Sequence, residues 1–216
     1  DEAFAALKED GSVITWGRDI KGGDSSKVAS QLSDGVINIV SIYDAFAALK
    51  DDGSVVAWGY DSDFNDKGVD ASNVSNYLKD NVAEIFSTDH AFAALKKDGS
   101  VVTWGTEDSG GDPARTNYEF LNLLSSGVKE IKQSRDSFAA LKDDGTVVYW
   151  GDAYGFNEEE NHSIKEIHLN NNKLIYEKID GSFYWDDKTL TNLKITNTEE
   201  VLEIKDIYPT YSDFNI

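Results

Sequence analysis

The chain has 216 residues, with 40 Asp and Glu against 20 Lys and Arg, a formal charge of −20. That balance excludes a nucleic-acid or anionic-membrane partner, because phosphate binding needs clustered Lys and Arg, and it admits a basic protein surface as partner. The apolar share, 40%, supplies a core for one domain or two small ones and excludes a wholly disordered chain.

In chain order, the first element is a repeat. FAALKEDGSVITWG opens at Phe4, FAALKDDGSVVAWG at Phe46, FAALKKDGSVVTWG at Phe92 and FAALKDDGTVVYWG at Phe138, with starts 42, 46 and 46 residues apart. Each unit reads as a β-hairpin. Asp10-Gly11, Asp52-Gly53, Asp98-Gly99 and Asp144-Gly145 sit between two β-rich runs, and both residue types tolerate the positive φ of a type I′ turn. In the second strand, Val13 and Thr15 point to one face, Ile14 and Trp16 to the other. The recurring small pair Ala5-Ala6 lets neighbouring sheets approach closely, as radial packing requires.

A weaker pass of the pattern follows each of the first three units: Gly35-Val36-Ile37-Asn38-Ile39, Val82-Ala83-Glu84-Ile85 and Gly127-Val128-Lys129-Glu130-Ile131. Variable stretches follow each Trp-Gly. In the third, Asp112 before Pro113 is a helix N-cap and first-turn signature, with Tyr118, Leu121 and Leu124 at helical spacing. Asp24 or Ser25 ahead of Val28 and Leu32 predicts a shorter helix of the same kind, whereas the fourth stretch, DAYGFNEEENHS, lacks the pattern. After the fourth unit the repeat decays. LIYEKIDGSFYW, Leu174 to Trp185, keeps the Asp-Gly-Ser turn but places its Trp four residues after Gly rather than five. Val201-Leu202-Glu203-Ile204, then Tyr211-Ser212-Asp213-Phe214, reads as the entry to a sixth unit that is cut off. The expected organisation is four repeats over residues 1–151, then a degenerate fifth and the start of a sixth over 152–216, all in one domain. The absence of Met, even at position 1, reads as a fragment or a processed form.

Units of this length, rich in strands and carrying a fixed Trp-Gly, are the sequence form of a β-propeller. The motif A-L-K-x-D-G-S-V-x-x-W-G resembles the RCC1-like repeat, the regulator-of-chromosome-condensation family, over residues 1–151 and only weakly beyond. Family members continue Trp-Gly with a Gly-Gln-Leu-Gly type turn and form seven blades. This chain has Gly22-Gly23-Asp24 and Gly110-Gly111-Asp112 instead, and resembles a divergent bacterial branch. The expected fold is all-β, an RCC1-like propeller or partial propeller of four to five blades with short helices in its rim loops.

Residues for enzyme chemistry are few. Without Cys there is no disulfide, thiolate or Cys-ligated metal, and the chain contains no G-x-S-x-G, H-E-x-x-H or Walker loop. The histidines are His90, His162 and His168; His90 stands in the place of Ala45 before its Phe-Ala-Ala strand and reads as structural or surface, as does His168. Asp61, Asp63, Asn65, Asp66 and Asp70 invite a calcium reading, but the EF-hand pattern wants Gly where Asp66 stands and Glu where Ser72 stands, so they read as solvated loop acids. Trp16, Trp58, Trp104 and Trp150 recur inside the hairpin and read as packing between blades rather than as sugar platforms. No cofactor and no metal are expected, and no run of about 18 apolar residues is present to span a membrane.

The rim loops remain, because binding residues concentrate on variable loops held by a rigid frame. The candidate partner-binding residues are Asp61, Asp63 and Asp66, then Glu107, Asp108 and Asp112, then Glu158 and Glu159; on a shared rim they form a negative surface for a basic partner. The resemblance implies regulation of a small GTPase, with Ran as the family's partner and guanine-nucleotide exchange as the activity. No segment matches the family's wedge hairpin. RCC1-like proteins also occur among effectors that bacteria inject to act on host Ran, which implies the host cytoplasm. The alternative is an extracellular or cell-surface repeat module for adhesion or binding.

Overall fold

The computed structural model describes residues 2–59, 71, 73–112, 118–152, 163–170, 173–185 and 188–189. Each repeat forms its own antiparallel sheet. Blade 1 holds β1 (Ala3–Leu7) and β2 (Val13–Gly17); blade 2 holds β3 (Val36–Ser41), β4 (Ala45–Lys50) and β5 (Val55–Gly59). Blade 3 holds β6 (Val82–Ser87), β7 (Ala91–Lys96) and β8 (Val101–Gly105); blade 4 holds β9 (Val128–Gln133), β10 (Ser137–Lys142) and β11 (Val147–Gly151). Blade 5 holds β12 (Ile164–Asn170), β13 (Lys173–Lys178), β14 (Phe183–Trp185) and β15 (Lys188–Thr189). The weak Val-x-x-Ile segments are therefore the first strand of each later blade, and the Phe-Ala-Ala-Leu segment is the middle one.

The hairpins form where the Asp-Gly pairs predict them, but with a different turn. The Lys8 N–H donates to the Ser12 carbonyl and the Gly11 N–H to the Lys8 carbonyl, so three residues, not two, cross the hairpin. Gly11 has φ of 78°, while Asp10 is not among the positive-φ residues; Asn81 and Ser163 are the non-glycine ones described. This is a type I turn closed by a left-handed glycine rather than a type I′ turn. The aspartate has another task. Its Oδ1 accepts hydrogen bonds from the Ser12 N–H at 3.0 Å and the Ser12 hydroxyl at 2.6 Å, and Asp98 does the same with Ser100. Bonding to the charged form holds the carboxyls of Asp10, Asp52, Asp98, Asp144 and Asp180 below the usual range, the Ser or Thr two residues on being the leading cause.

The core consists of the seams between blades. Phe46, Ala48, Val56 and Trp58 of blade 2 pack on Ala3, Ala5 and Val13 of blade 1. Phe92, Ala94 and Trp104 of blade 3 pack on Ala45, Ala47 and Leu49 of blade 2, and Phe138, Ala140, Val148 and Trp150 of blade 4 on Ala91 and Ala93 of blade 3. In each hairpin the Phe and Trp rings stack, with centroids 5.0 Å apart in blade 3 and 5.3 Å in blades 2 and 4. The alanines are what let these stacks reach the next sheet: Ala47, Ala48, Ala93, Ala94, Ala139 and Ala140 are all fully buried. Burying each aromatic side chain contributes about 4–6 kcal/mol of gross transfer free energy.

Blade 5 joins through Ile164, Ile167, Leu174 and Tyr176 against Ala139, Leu141, Val147 and Tyr149. Its missing residue in the turn-to-Trp spacing moves Trp185 to a rung opposite Ile175, where the other tryptophans stand opposite Phe. A stacked Tyr176–Tyr184 pair at 5.2 Å takes over as the aromatic rung. The register about Gly181 is that of the other hairpins, so Trp185 falls on the opposite face of its strand. Tyr176 and Tyr184 take the places of Ala48 and Val56 on the Phe–Trp face, which is why this repeat looks degenerate yet still packs.

A second repeated anchor is Leu32, Leu78 and Leu124, each buried, in the stretch returning from the rim. Their carbonyls accept from the N–H groups of Val13, Val55 and Val101, the first residue of each Val-x-x-Trp strand. The helical expectations are met in reduced form. Asp24 Oδ1 accepts from the Ser26 N–H, but Ser26–Val28 is a 3-10 turn; among the described residues α1 runs Tyr118–Leu123, and Pro113, the first-turn residue the sequence predicts, lies outside them. Leu124 enters the seam, whereas Leu121 stays half exposed.

Two measurements check this account. Trp150→Ala is expected to cost about 3–5 kcal/mol in urea unfolding and Trp16→Ala about 1 kcal/mol or less, because the first ring is enclosed and the second is 50% exposed. The lowered turn carboxyls contribute stability that is present above the unfolded pKa near 4 and lost as pH falls through their lower folded values. Asp98→Ala is therefore expected to lower Tm at pH 7, with the difference shrinking below about pH 4.

Candidate functional site

The repeat fixes which loops meet. Ala45 pairs with Gly59 and Ala91 with Gly105, so the turn entering each middle strand and the loop leaving each Trp-Gly lie at the same end of the sheet. The Asp-Gly turns lie at the opposite end. Among the described residues, one rim therefore carries the loops after Gly17 and Gly105 and the turns between the first and middle strands of blades 2, 3 and 4.

At this rim the turns converge on an axial cavity of about 860 Å³, lined by Ser41, Ile42 and Tyr43, by Ser87, Thr88 and Asp89, and by Gln133, Ser134 and Arg135. Three successive blades contribute the same three positions. Backbone bonds tie them: the Tyr43 N–H donates to the Asp89 carbonyl at 3.0 Å and the Asp89 N–H to the Arg135 carbonyl at 2.8 Å. Side chains reinforce the ring. Arg135 Nε lies 3.2 Å from Asp89 Oδ2, and Tyr43, 65% exposed, stacks on His90 with ring centroids 5.1 Å apart. The pairing also corrects the repeat position of His90, which corresponds to Asp44 and not to Ala45.

The loops after Trp-Gly grip the following blade. Arg18-Asp19-Ile20-Lys21-Gly22-Gly23-Asp24 and Thr106-Glu107-Asp108-Ser109-Gly110-Gly111-Asp112 have the same form, a 3-10 turn ended by a glycine at φ 93° and 95°. The carbonyls of Gly22 and Gly110 accept from the indole Nε1–H of Trp58 and Trp150, both at 3.1 Å. A Cβ on Gly110 would stand 2.7 Å from the Phe138 ring, so this backbone lies flat on the stacked aromatics. Side chains then cross the seam at matching positions: Lys21 pairs with Asp44, and the Ser109 hydroxyl bonds Asp136 at 3.3 Å. Thr88 joins turn and loop within blade 3, its hydroxyl donating to the Ser109 carbonyl. The loop after Gly59 has no Gly-Gly-Asp sequence, and the buried Trp104 Nε1–H correspondingly has no partner among the described residues.

Of the predicted partner-binding residues, Glu107 and Asp108 lie in the 3-10 turn of the blade 3 loop and Asp112 follows its second glycine, all three at the rim that carries the cavity. Asp61, Asp63, Asp66, Glu158 and Glu159 lie outside the described residues, as do His162, Asn65 and Asp70. Sequence reasoning overlooked Tyr43, Asp44, Asp89, Arg135 and Asp136. Their signal was available: Tyr-Asp, Asp-His and Arg-Asp vary between nearly invariant strands. The rim's cations in these segments are engaged with acids, Arg18 with Glu2, Lys21 with Asp44 and Arg135 with Asp89 and Asp136. Such a surface is polar, ordered and acidic. Among the described residues no group of His, Asp and Glu is placed to hold a metal ion.

No protein-family model and no curated protein sequence matches the chain. Among solved structures it is similar to yeast RCC1 (Prp20) in a complex with Kap60, at 19% identity and a TM-score of 0.51, over 85% of this chain and 53% of that one. A structure of Prp20p from Saccharomyces cerevisiae, a protein reported with binding properties to Gsp1p and histones, aligns at 18% identity and a TM-score of 0.49, over 85% of this chain and 55% of that one. Human WBSCR16 aligns at 20% identity and a TM-score of 0.43, over 69% and 45%. With its repeated antiparallel sheets and the likeness to the Prp20 chain of the Kap60 complex, the fold is an RCC1-like repeat propeller. The chain spans about half the length of the yeast structures it matches.

Gly110→Ala is expected to cost about 1–3 kcal/mol in urea unfolding, because both the left-handed backbone and the Phe138 ring oppose the methyl group. Gly181→Ala, with φ of 82° but nothing within 4 Å, is expected to cost only the backbone strain, about 1 kcal/mol.

Proposed function

We propose that this RCC1-like propeller is a protein-interaction module that regulates a small GTPase of the Ran type, held on the rim that carries the axial cavity. The observation that carries the reading is the convergence of Glu107, Asp108 and Asp112 with the polar ring of Tyr43, Asp89 and Arg135 at one rim. A rim rich in acids, whose cations are already ion-paired, is complementary to a basic protein surface. The sequence resemblance supports this class of partner, and the fold supports a protein-interaction module. Yeast Prp20, which has this fold, is described as binding Gsp1p and histones.

Exchange on a GTPase needs no catalytic nucleophile. A regulator that binds the nucleotide-free form more tightly than the loaded form expels nucleotide by that difference in affinity. Two strips of the rim suit such a partner: the exposed Tyr43 and its stacked His90 at the cavity mouth, and the acidic loop outside them.

The test is release of labelled GDP from purified Ran with and without the full chain. Release above the intrinsic rate is expected. Replacing Glu107, Asp108 and Asp112 together by Lys is expected to slow association about tenfold or more at low salt, with the difference fading as ionic strength rises. The absence of both binding and acceleration would overturn the reading. Binding without acceleration would retain the interaction module and remove the exchange activity.

A further inference from the structure

Three successive blades place different side chains at one position of the axial ring. Each follows two residues after the last paired residue of its first strand, Ser41, Ser87 or Gln133, and the three are Tyr43, Asp89 and Arg135. Two of them satisfy each other, Arg135 Nε lying 3.2 Å from Asp89 Oδ2. The third is left facing solvent. Tyr43 is 65% exposed, yet its place is fixed twice. Its N–H donates to the Asp89 carbonyl at 3.0 Å, and its ring lies 17° from parallel to that of His90, with centroids 5.1 Å apart. One face of the ring is thus taken, and among the described residues no second ring stacks on it. The seam between blades 2 and 3 takes in Ile42 and leaves Tyr43 out. A tyrosine already held in one orientation loses little further freedom when a partner packs on it, which is what makes a rigid aromatic an anchor.

The charge around the ring decides what it takes. Asp44, Asp89 and Asp136 face two cations, Lys21 and Arg135, so the turns keep a formal negative charge in excess. Glu107 and Asp108 add to it from the loop outside. The face of an aromatic ring is the negative side of its quadrupole and attracts a cation placed over it. Of the two side-chain cations, guanidinium fits better here. It is planar, so it stacks on the ring, and it is more weakly hydrated than an ammonium. Its N–H groups need acceptors, and the cavity that Tyr43 lines offers the neutral oxygens of Ser41, Ser87 and Gln133.

We propose that Tyr43 is the specificity anchor of this rim and takes an arginine side chain of the partner, stacked on the ring face that His90 leaves open. His90 is the positioning residue beneath it. The proposal rests on the reading of the rim as a partner-binding surface and adds the side chain that the rim selects.

An NMR titration of the full chain with a capped glycine pentapeptide carrying two arginines tests this. Saturable shifts are expected at the Tyr43 and His90 rings, with the arginine δ-methylene protons moved upfield by the ring current. Tyr43→Ala is expected to weaken binding about fivefold and to remove the upfield shift, whereas Tyr43→Phe keeps both. His90→Ala is expected to cost less than Tyr43→Ala, and His90→Phe, which keeps a ring beneath the tyrosine, to restore binding. The lysine version of the peptide is expected to bind more weakly. Tyr77→Ala, at a tyrosine 62% exposed but outside the axial ring, is expected to change nothing. Absence of saturable binding, or binding that Tyr43→Ala leaves unchanged, would overturn the proposal. So would a response of Tyr43 to maltose and not to the peptide, which would make the ring a sugar platform. The same variant in the Ran assay separates this proposal from the one it rests on. Peptide stacking with no binding of Ran removes the GTPase and keeps the anchor, whereas Ran binding that Tyr43→Ala leaves unchanged removes the anchor and keeps the GTPase.

Discussion

Blades 2, 3 and 4 each present a stacked Phe–Trp pair to the alanines of the blade before, and the rest of the molecule follows from that contact. The rings need a flat, close surface, which only small side chains on the facing sheet provide. Ala47, Ala93 and Ala139 supply it from one side, while Ala48, Ala94 and Ala140 lie beside the rings on the other. Because each seam repeats the same geometry, the blades turn about one axis with their ends aligned. The aligned ends make the rim.

The rim is ordered by the same aromatic stacks. Gly22 and Gly110 lie against Phe46 and Phe138, their carbonyls bonded to the indoles of Trp58 and Trp150, so the loops are seated on the core rather than hung from the strand ends. Lys21 and Ser109 then reach the acid of the following blade. A loop held at both its glycine and its side chain presents Glu107 and Asp108 at a fixed place relative to Tyr43 and Arg135. Preorganisation of this kind is what a binding surface gains from being built on a propeller.

The hairpins, the alanine pairs and the packing role of Trp58, Trp104 and Trp150 were legible in the sequence, because four copies of one unit separate structural need from accident. The turn type was not. Asp10-Gly11 fits a two-residue and a three-residue connection equally well, and the choice is made by Lys8 bonding Ser12 across the turn. The repeat position of His90 was misjudged by one residue, which the Ala91 pairing with Gly105 corrects. Tyr43, Asp89 and Arg135 escaped notice because they lie 46 residues apart in sequence and meet only around the axis. The acids at 107, 108 and 112 were legible as a loop, but the sequence could not say that this loop and the axial turns share one end of the sheet.

The claim most open to direct attack is that partners are held at the rim with the cavity and not at the rim with the Asp-Gly turns. Amide exchange of the chain mixed with Ran, the proposed partner, measures this. Slowed exchange across residues 41–44, 88–90 and 106–112, with the turns at 10–12, 52–54 and 98–100 unchanged, is the result the account predicts. Protection confined to the Asp-Gly turns would contradict it.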